Sequence, residues 1–85
     1  MSSEDILEEV QKVFRDIFDE PRIEIARDSN ADNVPDWDSL AHINLLTAIQ
    51  KKFKVKFTLV EMQYLKNVGD LVDLVERKLA GKRPD

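Results

Sequence analysis

Residues 38–53 read DSLAHINLLTAIQKKF and carry the strongest helical signal in the chain. The larger apolar side chains of this stretch recur at three- and four-residue steps, which is the spacing of one helical face. That face is formed by Leu45, Leu46, Ile49 and Phe53. We therefore predict a helix from near Asp38 to Lys52 or Phe53 that turns this face toward the protein core.

A second group of side chains on the same helix points in a different direction. At about 100° per residue, these side chains fall on another side of the helix, next to the direction of Ser39. The group consists of Leu40, Ile43 and Thr47. We expect an exposed apolar ridge beside Ser39.

Three further helices are expected around this one. The first runs from Ser3 to Phe18, where apolar residues keep a helical spacing and carboxylates fill the first turns. Residues 58–61 have the Thr-x-x-Glu form of a capping box, which opens a short helix of about two turns. Asn67 can cap a last helix over residues 68–80, which Gly81 ends. The inward face of this last helix is expected to consist of Val68, Leu71, Val72, Val75 and Leu79.

Residues 19–38 show no sustained helical period and contain Pro21 and Pro35. Structureless connections longer than about 12 to 15 residues are uncommon in compact domains and usually serve a function. We expect three apolar residues to pin this connection to the core, namely Ile23, Ile25 and Val34. The sequence thus predicts an all-α four-helix bundle over residues 1–81, with a long first loop, a short third helix and a flexible tail at 82–85.

Composition excludes several classes of function. A chain of 85 residues forms one small core, which leaves little material for a deep active site. It contains no cysteine, so any thiol chemistry must come from an added group. A net charge of −4, with no basic stripe among aromatics, argues against nucleic-acid binding. No apolar run approaches the roughly 18 residues of a membrane span, and we expect a cytoplasmic monomer.

Ser39 is the candidate site residue. Asp38 is a natural N-cap, which puts Ser39 in the first helical turn with its hydroxyl able to face solvent. A phosphodiester at this position would lie near free backbone amides and the positive end of the helix dipole. Both features favour an anion.

The segment Asp38-Ser39-Leu40, followed by this helical pattern, resembles the phosphopantetheine attachment region of acyl carrier proteins. The resemblance covers nearly the whole chain, because the long loop, the short third helix and the closing helix occur in the family's order. It implies that a phosphopantetheinyl transferase attaches 4'-phosphopantetheine to Ser39, whose terminal thiol then holds an acyl group as a thioester. It also implies that Asp38 assists helix entry and the transferase's metal-dependent recognition, and that the protein catalyses no step itself.

The resemblance further implies a set of partner enzymes. These are an acyl-loading ligase or transferase and condensing or acyl-transfer enzymes, between which the arm moves its substrate at high effective concentration. The partner-binding surface would be formed by Leu40, Ile43, Asn44, Thr47, Met62 and Gln63. The pathway would be fatty-acid-like, polyketide or specialised.

The predicted second helix departs from the fatty-acid-synthesis members of this family. Their second helix is rich in acidic residues that meet basic patches on partners, whereas this chain has Ala41, Asn44, Gln50 and Lys51 on that face. Because electrostatic complementarity influences partner choice, we hypothesise a specialised pathway with less basic partners. Trp37 stands where glycine is common in the family's motif. Aminoacyl and peptidyl carriers usually have paired glycines before the serine, so Trp37 also disfavours that alternative.

Two alternatives come from other functional classes. One is an unmodified helical module that binds a partner through the Leu40–Thr47 ridge. The other is a small hydrolase with Ser39 and His42, oriented by Asp36 or Asp38. The helical angle of His42, about 300° from Ser39, turns it toward the core face instead, so we expect a partly buried histidine in the groove between the second and third helices.

Two remaining charged groups have simple structural interpretations. The aspartates of the long loop lack the spacing and central glycine of an EF-hand, so we expect no metal site and a solvated loop. The lysines at 51–56 fit a solvated helix end. The apolar stripes are expected to form the core, and we hypothesise that this core can part between the second and third helices to shelter an acyl chain.

Overall fold

The computed structural model describes residues 2–30, 32, 34 and 37–81. Over these residues the chain forms four α-helices and no strand. The helices are α1 (Ser3–Ile17), α2 (Ser39–Phe53), α3 (Leu59–Gln63) and α4 (Val68–Gly81). The predicted all-α architecture is confirmed, whereas residues 82–85, which we expected to form a tail, lie outside the described part of the chain. No helix in the described ranges is long and apolar enough to cross a lipid bilayer.

The helices begin at the capping residues that local sequence indicates. Ser2 opens α1 with a capping box. Thr58 and Glu61 form the predicted reciprocal box at the start of α3, with hydrogen bonds of 2.8 and 3.1 Å. Asn67 Oδ1 accepts a hydrogen bond of 2.8 Å from the amide of Asp70 at the start of α4. These side chains satisfy backbone amides that have no partner inside the helix.

The third helix is shorter than the two turns that we predicted. It spans five residues, and Tyr64 is its carboxyl-terminal cap. The next residue, Leu65, packs against the core. None of the residues within α3 is buried. The helix therefore stops early because the chain turns back to bring Leu65 inward.

The core lies where α1 packs against both α2 and α4. The predicted inward face of α2 is buried in it, together with Phe14 of α1. On α4 the predicted inward face needs one correction. Leu74, which was not included in it, is buried as fully as Leu71, whereas Leu79, which was included, packs against the core but is only partly buried. Leu79 lies in the last turn of α4, next to the exposed Ala80 and Gly81, at the end of the packed region.

The long connection between α1 and α2 is pinned to the bundle, as predicted. Ile25 and Val34 are buried, and Ile23 packs against the edge of the core. The connection also accepts two backbone hydrogen bonds from the start of α4: the Val68 amide donates to the Ser29 carbonyl at 2.8 Å, and the Gly69 amide donates to the Arg27 carbonyl at 2.7 Å. These contacts hold the chain in place before it enters α2.

Candidate functional site

The start of α2 has the geometry that the sequence indicates. Asp38 is the N-cap, and its Oδ1 accepts a hydrogen bond of 2.9 Å from the amide of Ala41. The amide of His42 donates to the Asp38 carbonyl at 2.9 Å, which closes the first turn. Ser39 is the first helical residue, and its side chain is exposed. The Ser39 hydroxyl has no hydrogen bond to any other residue that the structure describes.

Trp37 anchors the end of the connection just before this turn. Its indole is 9% exposed and packs edge-on against Phe14, with ring centroids 5.1 Å apart and an interplanar angle of 88°. Its Nε1–H donates a hydrogen bond of 3.2 Å to Nδ1 of His42. The pair ties the connection to both α1 and α2, so the position of Asp38 and Ser39 is set by packing as well as by the helix cap.

His42 has a structural role in this arrangement. It is partly buried and lines the groove between α2 and α3, as predicted. Its Nδ1 is engaged by Trp37, and within the described residues no hydrogen bond joins His42 to Ser39. Asp36, one of the two residues considered as an orienting carboxylate, lies outside the described residues. The Ser39–His42 pair of the hydrolase alternative is therefore not assembled.

The apolar ridge on α2 is present. Leu40 is 68% exposed and Ile43 is 61% exposed, and Asn44 and Thr47 beside them are also exposed. The Thr47 hydroxyl donates a hydrogen bond of 2.9 Å to the Ile43 carbonyl, so this polar group has a partner within the helix. An exposed apolar patch of this kind is typical of a contact surface.

The structure adds an apolar surface on α3 that the sequence analysis missed. It consists of Leu59, Val60 and Tyr64, which are 60–71% exposed. The capping box located this helix, but a helix of five residues is too short for periodicity to assign its faces. Of the two α3 residues named from the resemblance, Gln63 is exposed and Met62 is partly buried against the core.

A groove runs between α2 and α3 and starts beside Ser39. Its volume is about 780 Å³, and Ser39, Asp38 and Trp37 lie at one end of it. Its walls are mainly apolar. They include Ile43, Leu46, Leu59, Met62 and Leu65. The groove could hold an extended, mostly apolar group close to the Ser39 hydroxyl.

The residues present fit a covalently attached phosphodiester. The Ser39 hydroxyl is accessible, the first turn of α2 contains no acidic residue, and the amides of this turn point toward the helix start. An anion on Ser39 would thus meet favourable backbone dipoles. Across the described ranges, no group of three or more His, Cys, Asp or Glu side chains could hold a metal ion.

Comparisons with known proteins find similarity to acyl carrier proteins and to their phosphopantetheine attachment site. A family model described as "Phosphopantetheine attachment site" matches residues 8–75. The chain is 29% identical over 82 residues to an acyl carrier protein of Coprothermobacter proteolyticus, covering 96% of this chain and 100% of the relative. It is 28% identical over 75 residues to an acyl carrier protein of Acidothermus cellulolyticus, covering 88% of this chain and 89% of that protein.

A solved structure shares the fold. The solution NMR structure of the holo acyl carrier protein from Geobacter metallireducens is 46% identical to this chain, with a TM-score of 0.82. The match covers 87% of this chain and 85% of the solved chain.

Proposed function

This chain belongs to the acyl carrier protein family, and we propose that its Ser39 carries the 4'-phosphopantetheine arm. Members of this family bear that group covalently and are carriers rather than enzymes. One observation carries the assignment to Ser39: its hydroxyl is exposed at the amino end of α2, at the mouth of the groove. Attachment there forms a phosphodiester on the Ser39 oxygen: the hydroxyl loses its proton, the pyrophosphate bond of coenzyme A breaks, and adenosine 3',5'-bisphosphate leaves. The arm supplies the thiol that the chain lacks.

Asp38 has two roles in this proposal. Its Oδ1 caps α2, which keeps Ser39 in the first turn. Oδ1 is the only Asp38 side-chain oxygen with a hydrogen bond to a described residue, and the side chain is exposed. The second oxygen is thus available to the transferase, which supports a contribution of Asp38 to its metal-dependent recognition.

The surfaces around Ser39 support two further roles. The exposed residues of α2, together with Gln63, are proposed to contact partner enzymes: an acyl-loading ligase or transferase and condensing or acyl-transfer enzymes. Met62 is proposed to belong to the same surface, and both Met62 and Gln63 line the groove. We propose that the groove is where the arm or a short acyl chain rests between visits to these enzymes, because most of its wall is apolar.

The pathway is proposed to be a specialised acyl pathway rather than general fatty-acid synthesis. Helix α2 contains no acidic residue along its full length, and its exposed face carries Asn44 and Lys51. A condensing enzyme with a basic docking surface would lack its complementary charges here. Transfer of an acyl group from the holo protein to fatty-acid condensing enzymes should therefore be slow, and efficient turnover with them would contradict this part of the proposal.

Mass spectrometry tests the attachment site. The purified protein is incubated with coenzyme A and a phosphopantetheinyl transferase, and the intact mass is measured. We expect a gain of one phosphopantetheine unit in the wild-type protein and in the control Ser29→Ala, and no gain in Ser39→Ala. A gain that persists in Ser39→Ala would disprove the assignment.

The same samples separate the alternatives. Loading of the holo protein by an amino-acid-activating enzyme, but not by an acyl-loading enzyme, would favour an aminoacyl or peptidyl carrier. An unchanged mass with every transferase would favour an unmodified interaction module. Esterase activity without coenzyme A that is lost in His42→Ala would favour a hydrolase.

A further inference from the structure

Positive charge is concentrated on the part of the molecule that contains the attachment site. Residues 38–66 carry five lysines and two carboxylates, which gives this segment a net charge of +3, whereas the whole chain has a net charge of −4. One of those carboxylates, Glu61, is paired with Lys78 at 2.9 Å, and the other, Asp38, caps α2. The segment that contains Ser39 thus carries a net positive charge in an otherwise acidic protein.

The basic groups gather at a second concave surface, at the carboxyl end of α2. This depression has a volume of about 520 Å³. Its lining consists of Thr47, Gln50, Lys51, Lys54, Val55 and Lys56. Thr47 and Gln50 also line the groove that starts at Ser39, so the two concavities are adjacent on the protein surface.

Local structure holds these lysines beside the depression. Lys54 adopts a left-handed conformation with φ of 56°, which turns the chain sharply after α2. Two hydrogen bonds then fix the following segment to Gln50: the Val55 amide donates to its carbonyl at 3.0 Å, and the Phe57 amide donates to its side-chain oxygen at 2.9 Å. Lys56, between these two anchored residues, is therefore held near Lys51.

Lys51 and Lys56 are available to bind an external group. Both side chains are exposed, and neither forms an ion pair with a residue that the structure describes. Lys52 differs, since its ammonium group lies 3.4 Å from Glu9 of α1. The depression thus carries positive charge that the described part of the protein does not neutralise.

The apolar ridge and the depression lie on one exposed stripe of α2. Leu40, Asn44, Thr47 and Lys51 follow each other at steps of four, three and four residues, which is the spacing of one helical face. The eleven steps from Leu40 to Lys51 correspond to about 16 Å along the helix axis. A partner that reaches Ser39 would cover both ends of this stripe.

We propose that the enzyme that loads or uses this carrier has two patches that match the two ends of this stripe. An acidic patch binds the lysine-lined depression, and an apolar patch about 16 Å from it covers Leu40 and Ile43. The inference rests on the proposed function and names the chemistry of its partner. Opposite charges at this distance from the attachment site accelerate encounter and select the orientation that brings the arm to the active site. Fatty-acid enzymes with basic docking surfaces would be repelled by the same lysines.

A protein surface explains these features better than a polyanion does. Nucleic acid and anionic lipid attract basic groups but do not require an apolar ridge 16 Å away beside a modified serine. The net charge of −4 would also oppose binding to an extended negative surface. A folded partner can match both the apolar and the charged end of the stripe.

The test uses the holo protein and the acyl-loading enzyme that acylates it. The charge-reversed variant Lys51→Glu/Lys56→Glu is compared with the neutral variant Lys51→Gln/Lys56→Gln and with Arg77→Glu, an exposed position on α4. We expect kcat/KM for acylation to fall about tenfold in the charge-reversed variant, mainly through KM, and less in the neutral variant. Arg77→Glu should stay within about twofold of wild type. The differences should shrink near 1 M salt, where the Debye length is about 3 Å.

Other results would overturn the proposal. Equal rates in all variants, or an equal loss in Arg77→Glu, would show that the depression does not bind the partner. Lysine-dependent binding of the holo protein to vesicles of phosphatidylcholine and phosphatidylserine, with acylation unchanged, would assign the depression to a lipid surface instead. Mass spectrometry before acylation keeps the two proposals apart, and only samples that carry the arm are compared in the acylation assay. Failure of the wild-type protein to gain the arm contradicts the role of Ser39, whereas normal holo formation with charge-independent loading contradicts only the acidic patch.

Discussion

Asp38 and Ser39 are adjacent, but their side chains interact differently with their surroundings. Asp38 uses one carboxylate oxygen to cap α2, whereas Ser39 leaves its hydroxyl in solvent. Trp37, just before them, holds the end of the connection through Phe14 and His42. The Ser39 hydroxyl is thus accessible, while the backbone of Ser39 is held in place by the helix cap at Asp38 and by the packing of Trp37. This arrangement suits the proposed modification by another enzyme.

Substitutions at Asp38 should separate capping from recognition. Asp38→Ala removes the acceptor of the Ala41 amide and should lower the free energy of unfolding by about 1 kcal/mol. Asp38→Asn keeps a capping oxygen and should remain close to wild type in stability, but it loses the charge. Urea denaturation followed by circular dichroism measures the stability, and mass spectrometry measures the rate of arm attachment.

Both variants lose the carboxylate, so both should be slow in arm attachment if the proposal is right, but only Asp38→Ala should also be destabilised. Asp38→Asn should be stable yet slow in arm attachment, because the transferase loses a carboxylate ligand or contact. Attachment at the wild-type rate in Asp38→Asn would show that Asp38 acts only as a helix cap.

Helix α3 is the least embedded of the four helices. It has five residues, none of them buried, and its outer face carries exposed apolar side chains. Glu61 connects it to the bundle, since its carboxylate accepts a hydrogen bond from the Thr58 amide and lies 2.9 Å from the Lys78 ammonium group. Because α3 forms one wall of the groove, these few contacts determine how readily the groove can widen.

The charge state of Glu61 should make α3 sensitive to acid. The Thr58 amide and the Lys78 ammonium group lower the pKa of Glu61 below its ordinary value of 4.5. A carboxylate with a lowered pKa contributes its full stabilisation above the unfolded-state value and loses it as the pH falls through the folded-state value. We expect α3 amides to lose protection as the pH falls below about 4.5, before those of α1, α2 and α4.

Hydrogen exchange followed by NMR measures this loss. Glu61→Gln is the matched control, since glutamine can still complete a capping box but does not titrate. Its α3 amides should be less protected at neutral pH and should show no acid step. An acid step of the same size in Glu61→Gln would assign the effect to another group.

At the scale of the whole molecule, the connection between α1 and α2 packs closely against the start of α4 at Gly69. The Gly69 amide donates to the Arg27 carbonyl at 2.7 Å, and the Arg27 guanidinium pairs with Asp73 at 2.8 Å. A Cβ atom on Gly69 would lie 2.9 Å from the Arg27 carbonyl oxygen, which is too close for an ordinary contact. The absence of a side chain at this position allows the long connection to pack on the bundle.

The two glycines of α4 offer a matched pair of substitutions. Gly69→Ala should lower the free energy of unfolding by about 1 to 3 kcal/mol, because the backbone of the connection must move away. Gly81→Ala meets nothing within 4 Å and should be neutral or stabilising by up to about 1 kcal/mol, since alanine favours the helix. Urea denaturation of both variants checks this, and equal effects would contradict the importance of the contact.

Local sequence was sufficient to predict the helices and the position of Ser39. The capping boxes, the N-cap at Asp38 and the apolar period of α2 depend on residues within a turn or two of each other, so they can be recognised without knowing the fold. The long loop, the short third helix and the exposed ridge of Leu40 and Ile43 followed from the same short-range patterns.

Other features of the site arise only when distant segments meet. Three examples are the contact of Trp37 with Phe14, the exposed face of α3, and the position of the lysine-lined depression next to the groove. All three depend on how the helices and the turn after α2 pack. Periodicity shows which residues share a face, but not which other element covers that face. The position of Ser39 in the first turn of α2 could therefore be predicted from sequence, whereas the shape and charge of the surface around it required the packed structure.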